Sequence, residues 1–288
     1  MGNNMRLLTQ IGIKTRDKLI QIVRTFAAAF SMFSAIPVPR FLWNRQTWDQ
    51  KNLRYLLCAF PLVGAAIGLC WYGWGAVCEW LSLPAVLRGA GWTVLPVLLT
   101  GGVHLDGYAD TIDALSSYAP PERRREILKD PHCGAFAVIW LCMYLIATFA
   151  LCVSLKAESL IFAVPPYFGM IPAFILSRAL SGAALTFLPL SAGGGLARTF
   201  VEAADRRRVR VILIIETVCA AFLLWKLLAL TGLLMILAAF AVLARYIWTA
   251  KRAFGGVSGD LAGWFLQKAE FWMLAVLVLA QFAKARLT

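Results

Sequence analysis

The sequence predicts an all-α protein, a polytopic integral membrane helical bundle of about seven spans. Three observations carry that reading. The 288-residue chain is 60% hydrophobic and only 15% charged, whereas a soluble domain is roughly 25% charged. Its mean hydropathy is +0.72. Its apolar residues gather in runs near the roughly 20 residues that a helix needs to cross a bilayer. This composition excludes a disordered chain, a coiled coil and an ordinary soluble globule.

Residues 1–52 form an N-terminal segment on the cytoplasmic surface. Within it, residues 20–36 are apolar and end at Pro37-Val38-Pro39, which suits an interfacial or re-entrant helix. The candidate spans follow at 53–78, 86–105, 133–155, 159–188, 210–230, 231–250 and 267–283. The second and the last are short or polar at one end, so the expected count runs from about six to about eight. Pro165, Pro166 and Pro172 interrupt the fourth run, which is expected to kink or dip. Residues 104–132, 190–210 and 251–266 are the long polar connections. No repeat and no appended soluble domain is visible, so residues 1–288 read as one membrane-embedded catalytic domain.

Charge sets the orientation. The net charge is +13, which in a soluble protein would raise nucleic acid as a partner. Here the cations fall in blocks instead. Segments 1–54, 104–132, 178–210 and 245–268 hold nine, four, six and four of the 28 lysines and arginines. Seven alternating spans put all four blocks on one side of the membrane, the pattern of cytoplasmic loops, with the N-terminus inside. Nucleic acid is therefore not an expected partner; the lipid bilayer is. The expected location is the bacterial inner (plasma) membrane, multi-pass, with the active site facing the cytoplasm. The N-terminus lacks the pattern of a cleaved signal peptide. The seven cysteines form no CxxC pair and read as small buried hydrophobes.

Acidic residues are scarce, and six of the fifteen lie between 106 and 130. Asp106, Asp110 and Asp113 stand at i, i+4 and i+7, within roughly 60° of one another around a helix. Three carboxylates on one stripe beside a span repel unless a cation joins them. Hard oxygen ligands select Mg²⁺, Mn²⁺ or Ca²⁺. A solvated acidic helix start, favoured by the helix dipole, is the bland alternative. Asp130 follows 17 residues after Asp113, close enough in sequence to fold back on the stripe. Gly107 permits close approach of a ligand or backbone. His104 is a candidate metal-shell or base residue. Arg178 and Arg198 can pair with phosphate. Lys251 and Arg252 precede a Gly-rich segment that contains Ser258 and Asp260, of the kind that cradles phosphate near a helix start. Carboxylates, arginines and Gly-rich loops together point to phosphoryl or nucleotidyl transfer at a membrane surface.

The motifs G-G-V-H-L-D-G-Y-A-D-T-I-D-A-L (101–115) and R-R-R-E-I-L-K-D-P-H-C-G-A-F-A-V (123–138) resemble the cobalamin synthase family of adenosylcobinamide-GDP ribazoletransferases. So do F-S-A-I-P-V-P (33–39), F-P-L-V-G-A-A-I-G (60–68) and G-G-V-S-G-D-L-A-G (255–263) with Glu270 after it. The likeness covers roughly residues 25–275. Pro131 and His132 depart from the usual Ser-Arg, Ser258 stands for Thr, and Tyr108 for Leu.

The resemblance implies the last assembly of the cobalamin nucleotide loop. Adenosylcobinamide-GDP and α-ribazole, or its 5′-phosphate, give adenosylcobalamin, or its phosphate, with release of GMP. The implied cofactor is Mg²⁺, with Asp106, Asp110, Asp113 and Asp130 as catalytic and metal-holding residues. His104, Gly107, Arg178, Arg198, Lys251, Arg252, Ser258 and Asp260 are the candidate substrate contacts. Further copies of the chain and other enzymes of the pathway stand beside the substrates as expected partners. Two rival readings are a Mg²⁺-dependent CDP-alcohol phosphotransferase, whose D-x-x-D-G-x-x-A-R pattern is not met, and a cation transporter, which needs carboxylates at mid-membrane.

Overall fold

A computed structural model describes residues 2–39, 42, 48–156, 165–192 and 195–285, with side chains from residue 18 onward. Among them the chain is helical almost throughout. Its one ladder element is an isolated parallel bridge between Leu190 and Val257. The helices are α1 (Gly2–Phe33), α2 (Gln50–Leu53), α3 (Leu56–Trp80), α4 (Ala85–Thr100), α5 (Val103–Ser116), α6 (Pro121–Ile127) and α7 (Ala135–Ser154). They continue with α8 (Met170–Phe187), α9 (Leu196–Ala203), α10 (Arg206–Leu228), α11 (Leu230–Thr249) and α12 (Gly259–Ala285).

Among the described residues, six helices (α3, α7, α8, α10, α11 and α12) are long and apolar enough to cross a membrane, or seven if the bent pair α4–α5 is counted as one span. The protein is thus a multi-pass membrane protein. α8, with the 3₁₀ turn Pro166–Gly169 before it, is the central helix. Its apolar stretch is 83% buried, against 11% for α7 and 22% for α10. Helices that are apolar all round but buried on one side only present their other face to lipid.

α3 and α4 are locked by stacked indoles. The rings of Trp71 and Trp92 lie 4.5 Å apart, and each indole N–H donates to the other residue's carbonyl at 2.9 Å. Burying both rings while satisfying both donors stabilises the pair without leaving a polar orphan.

The sharpest departure from a simple bundle follows α4. Gly101 and Gly102 have φ of +63° and +79°, and α5 leaves at 93° to α4. A residue with a Cβ avoids this left-handed conformation at a cost of about 1–2 kcal/mol. At Gly102 no atom lies within 4 Å of where a Cβ would stand. Gly102→Ala is therefore expected to lower stability by about 1–2 kcal/mol through backbone strain alone. Thermal unfolding in detergent reads this as a lower midpoint.

The structure alters several boundaries read from sequence. Residues 104–132 are not a loop but α5, a short connection and α6. α12 begins at Gly259, eight residues before the apolar run, because Ser258 caps it: its Oγ accepts the Leu261 N–H at 3.3 Å. Of the run 159–188, residues 159–164 lie outside the described residues and the helix proper starts after the prolines. α1 extends well beyond 20–36 and packs on α3, with Thr25 Oγ donating to the Asn52 carbonyl at 3.0 Å. Only Cys78 and Cys152 are buried; Cys70, Cys133, Cys142 and Cys219 face out of the bundle.

The four basic segments do meet at one end. Arg54 pairs with Asp205 at 2.7 Å, Arg125 donates to the Phe254 carbonyl at 3.2 Å, and Val257 N–H donates to the Pro189 carbonyl at 2.9 Å. At the opposite end Arg88 donates to the Leu155 carbonyl, and Lys156 lies over the Phe282 ring.

Candidate active site at one end of the bundle

The N-terminal ends of α5 and α12 open on one cavity at the basic end. It holds about 980 Å³ of empty space, part of it open to the outside. Asp106 stands in the first turn of α5 and Asp260 in the first turn of α12. Both line the cavity, with His104, Ser181 and Ser258. The opposite wall is aromatic. Phe33 lies 4.4 Å from Phe60 and 5.9 Å from Phe200, ring centroid to centroid. Two helix starts pointing into one space supply free backbone N–H groups and positive dipole ends, which suit phosphate oxygens.

Close packing brings the two carboxylates together. A Cβ on Gly107 would fall 2.9 Å from the Asp260 Cα and 2.8 Å from its carbonyl oxygen. Neither backbone atom can yield, so only glycine lets α5 cross α12 this closely. Asp110 feels the charges of Asp106, Asp260 and Asp113. The stripe runs from the cavity outward along α5 until Asp113 abuts Gly134, where a Cβ would strike the carboxylate. None of Asp106, Asp110, Asp113 and Asp260 forms an ion pair among the described residues. Four neighbouring carboxylates without a cation are costly at a partly dry site. Among the described residues, no three acidic, His or Cys side chains converge closely enough to cage a metal by themselves.

The other expected residues are distributed as follows. His104 is 6% exposed, sits edge-on to Phe60 at 5.7 Å, and its Nε2 has no partner. Asp130 stays in its own loop. The backbone N–H of His132 donates to its Oδ1 at 2.9 Å and the His132 ring lies 2.7 Å away. These hydrogen bonds hold the exposed Asp130 carboxyl below the usual carboxylate range. The departure Pro131-His132 thus gives Asp130 a local partner instead of a place in the stripe. Asp260, read from sequence as a substrate contact, lines the cavity beside the stripe.

Arg178 is displaced furthest from expectation. It is 1% exposed and donates to Glu270 Oε1 at 2.6 Å, with further bonds to the Phe174 carbonyl and Ser177 Oγ. It lies behind the cavity wall, over the Phe60 ring at 5.9 Å, and does not line the cavity. Arg198 sits on α9, where it donates to the Ser191 carbonyl at 3.3 Å and approaches Glu202 at 3.8 Å. Lys251 and Arg252 are exposed on the π-turn Ala250–Phe254, and Arg252 lies over Trp248 at 5.5 Å.

Two features escape sequence reasoning. Ser181 lines the cavity one turn beyond Arg178, and its buried hydroxyl has no partner. Arg125 ties α6 to the 250–258 segment. Neither lies in a distinctive pattern; the basic triplet 123–125 was the only signal for the second.

Comparison with known proteins identifies the family. The profile of the family described as cobalamin-5-phosphate synthase matches residues 25–278. The adenosylcobinamide-GDP ribazoletransferase of Lachnoclostridium phytofermentans is 40% identical over 257 residues, 88% of this chain and 92% of that one. The ribazoletransferases of Clostridium perfringens strain 13 and Geobacillus thermodenitrificans are each 32% identical, over 241 and 252 residues. Each of these alignments covers 84% of this chain, with 92% and 90% of the relative. No solved structure matches the chain. With the matched profile spanning the cavity, both helix starts and the acidic stripe, the chain belongs to the cobalamin-5-phosphate synthase family.

Proposed function

We propose that the chain is a Mg²⁺-dependent ribazoletransferase. It joins adenosylcobinamide-GDP to α-ribazole, or its 5′-phosphate, releases GMP, and works at the cytoplasmic face of the inner membrane. One observation carries the chemistry: an uncompensated carboxylate stripe meets two helix starts at one cavity. The relatives' names supply the substrates.

The ribazole 3′-hydroxyl attacks the phosphorus on the cobinamide side of the pyrophosphate. The new P–O bond forms as the bond to GMP breaks. A carboxylate takes the hydroxyl proton, and the lining of the cavity by Asp106 and Asp260 supports either of them in that role. Helix-start N–H groups of α5 and α12 hold phosphate oxygens. The aromatic wall of Phe33, Phe60 and Phe200 receives an apolar ring, as the lower base would present.

The donor set fits a hydrated divalent cation. The four carboxylates are hard oxygen ligands with excess negative charge, yet they form no closed cage. Mg²⁺ prefers that situation, keeping one or two carboxylates and completing its shell with water and phosphate. Asp106, Asp110, Asp113 and Asp260 are the residues that would hold it, and it would supply neutralisation of the pyrophosphate charge.

Purified protein in detergent, given both substrates and Mg²⁺, is expected to form GMP and a cobalamin in equal amounts by chromatography. EDTA is expected to stop both. Turnover unaffected by EDTA would remove Mg²⁺ from the reading, and absence of both products from folded protein would remove the reaction.

A further inference from the structure

We propose that a groove on the outer surface, between α5, α7, α11 and α12, binds one anionic phospholipid whose phosphate sits between Arg245 and Lys268. This groove lies across α5 from the acidic stripe, and the reaction does not use it.

The groove spans about 1060 Å³ of empty space, part of it open to the outside. Arg245 on α11 and Lys268 on α12 both line it and feel each other's charge. Neither has a carboxylate partner among the described residues. Among the described residues their company is aromatic. Lys268 Nζ lies 5.6 Å from the Tyr108 ring and 5.9 Å from the Trp140 ring, and the Arg245 guanidinium lies 4.7 Å over Trp248. Trp264 on the same wall is 5% exposed, and its indole N–H meets no acceptor. Two like charges with no carboxylate partner, on helices that cross a membrane, call for an anion.

The groove also has the polarity of a lipid. α11 ends, and α12 begins, at the end of the bundle that carries the candidate active site. Ala238 lies about 10 Å further from that end than Arg245, and Trp272 one turn further than Lys268. The cations therefore sit nearer that end, and an apolar floor runs on from them toward mid-membrane. Trp140, five residues into α7, is 42% exposed on the outer surface, near the level of aromatic belt residues. A free phosphate would leave the apolar floor empty; a zwitterionic lipid would bring its own cation against Arg245 and Lys268. An anionic phospholipid matches both ends.

Native mass spectrometry of the full-length protein in a non-ionic detergent tests this. Dioleoylphosphatidylglycerol, dioleoylphosphatidylcholine and inorganic phosphate are titrated separately. One phosphatidylglycerol is expected to be retained at least about tenfold more tightly than phosphatidylcholine, and the Arg245→Gln/Lys268→Gln variant is expected to lose that preference. Lys156→Gln, at the opposite end, is expected to keep it. Equal retention of the two lipids by the parent, or an unchanged preference in the double variant, overturns the proposal. Displacement of the lipid by millimolar phosphate would assign the site to a free anion and overturn it as well. A measurement on the parent alone covers the case of a variant that fails to fold. Brominated phosphatidylglycerol is expected to quench tryptophan fluorescence more than brominated phosphatidylcholine, and equal quenching counts against the site.

Discussion

Asp106→Ala and Asp110→Ala are each expected to lower turnover by at least about 10²–10³-fold, the scale of losing one preorganised electrostatic element of a transition state. Both are expected to insert in the membrane and unfold cooperatively, because neither carboxylate forms an ion pair among the described residues. The sign of the stability change separates this role from a structural one. Asp110 lies among Asp106, Asp113 and Asp260, so its removal relieves like-charge repulsion. In EDTA, Asp110→Asn is expected to melt at or above the temperature of the parent. With Mg²⁺ present the parent is expected to gain stability by linkage and the variant to gain less. Full activity in both alanine variants, or a lower midpoint for Asp110→Asn in EDTA, would remove the stripe from the candidate site.

Glu270→Ala is expected to have the largest effect on stability. It leaves the Arg178 guanidinium, 1% exposed, without its counter-charge. Removing one partner of a buried ion pair costs about 3–5 kcal/mol, because the survivor remains desolvated. Thermal unfolding in detergent is expected to show a midpoint many degrees lower. The double variant Arg178→Met/Glu270→Leu removes both charges and is expected to recover most of that loss, since well-packed apolar replacements are often neutral or stabilising. A double variant no more stable than Glu270→Ala would show that the remaining bonds of Arg178, to Ser177 and the Phe174 carbonyl, matter more than the charge pair. Arg178 lies over the Phe60 ring behind the cavity wall, so loss of the pair is also expected to disturb the aromatic wall and reduce activity.

Much of the site was legible because it is periodic. The register of Asp106, Asp110 and Asp113 follows from helix geometry alone, and the structure keeps all three on one helix. The spans were legible for the same kind of reason. Apolar length and composition are properties of contiguous residues, and lipid solvates a helix without needing a partner. The gathering of the four basic segments at one end followed from charge alternating with those spans.

What the chain order could not provide was pairing across long separations. Arg178 resembles a phosphate ligand until Glu270, 92 residues away, is seen to occupy it. Asp260 resembles part of a Gly-rich phosphate loop until Gly107 lets α12 close on α5 and places that carboxylate beside the stripe. Asp130 resembles a fourth member of the stripe until His132 claims it from two residues away. Local spacing specifies which helices form and which residues share a face of one helix. Which faces meet depends on side-chain shape and small-residue contacts between helices far apart in sequence. The identities of the candidate site residues were therefore written along the chain, and their neighbours were set by the packing of α5, α8 and α12.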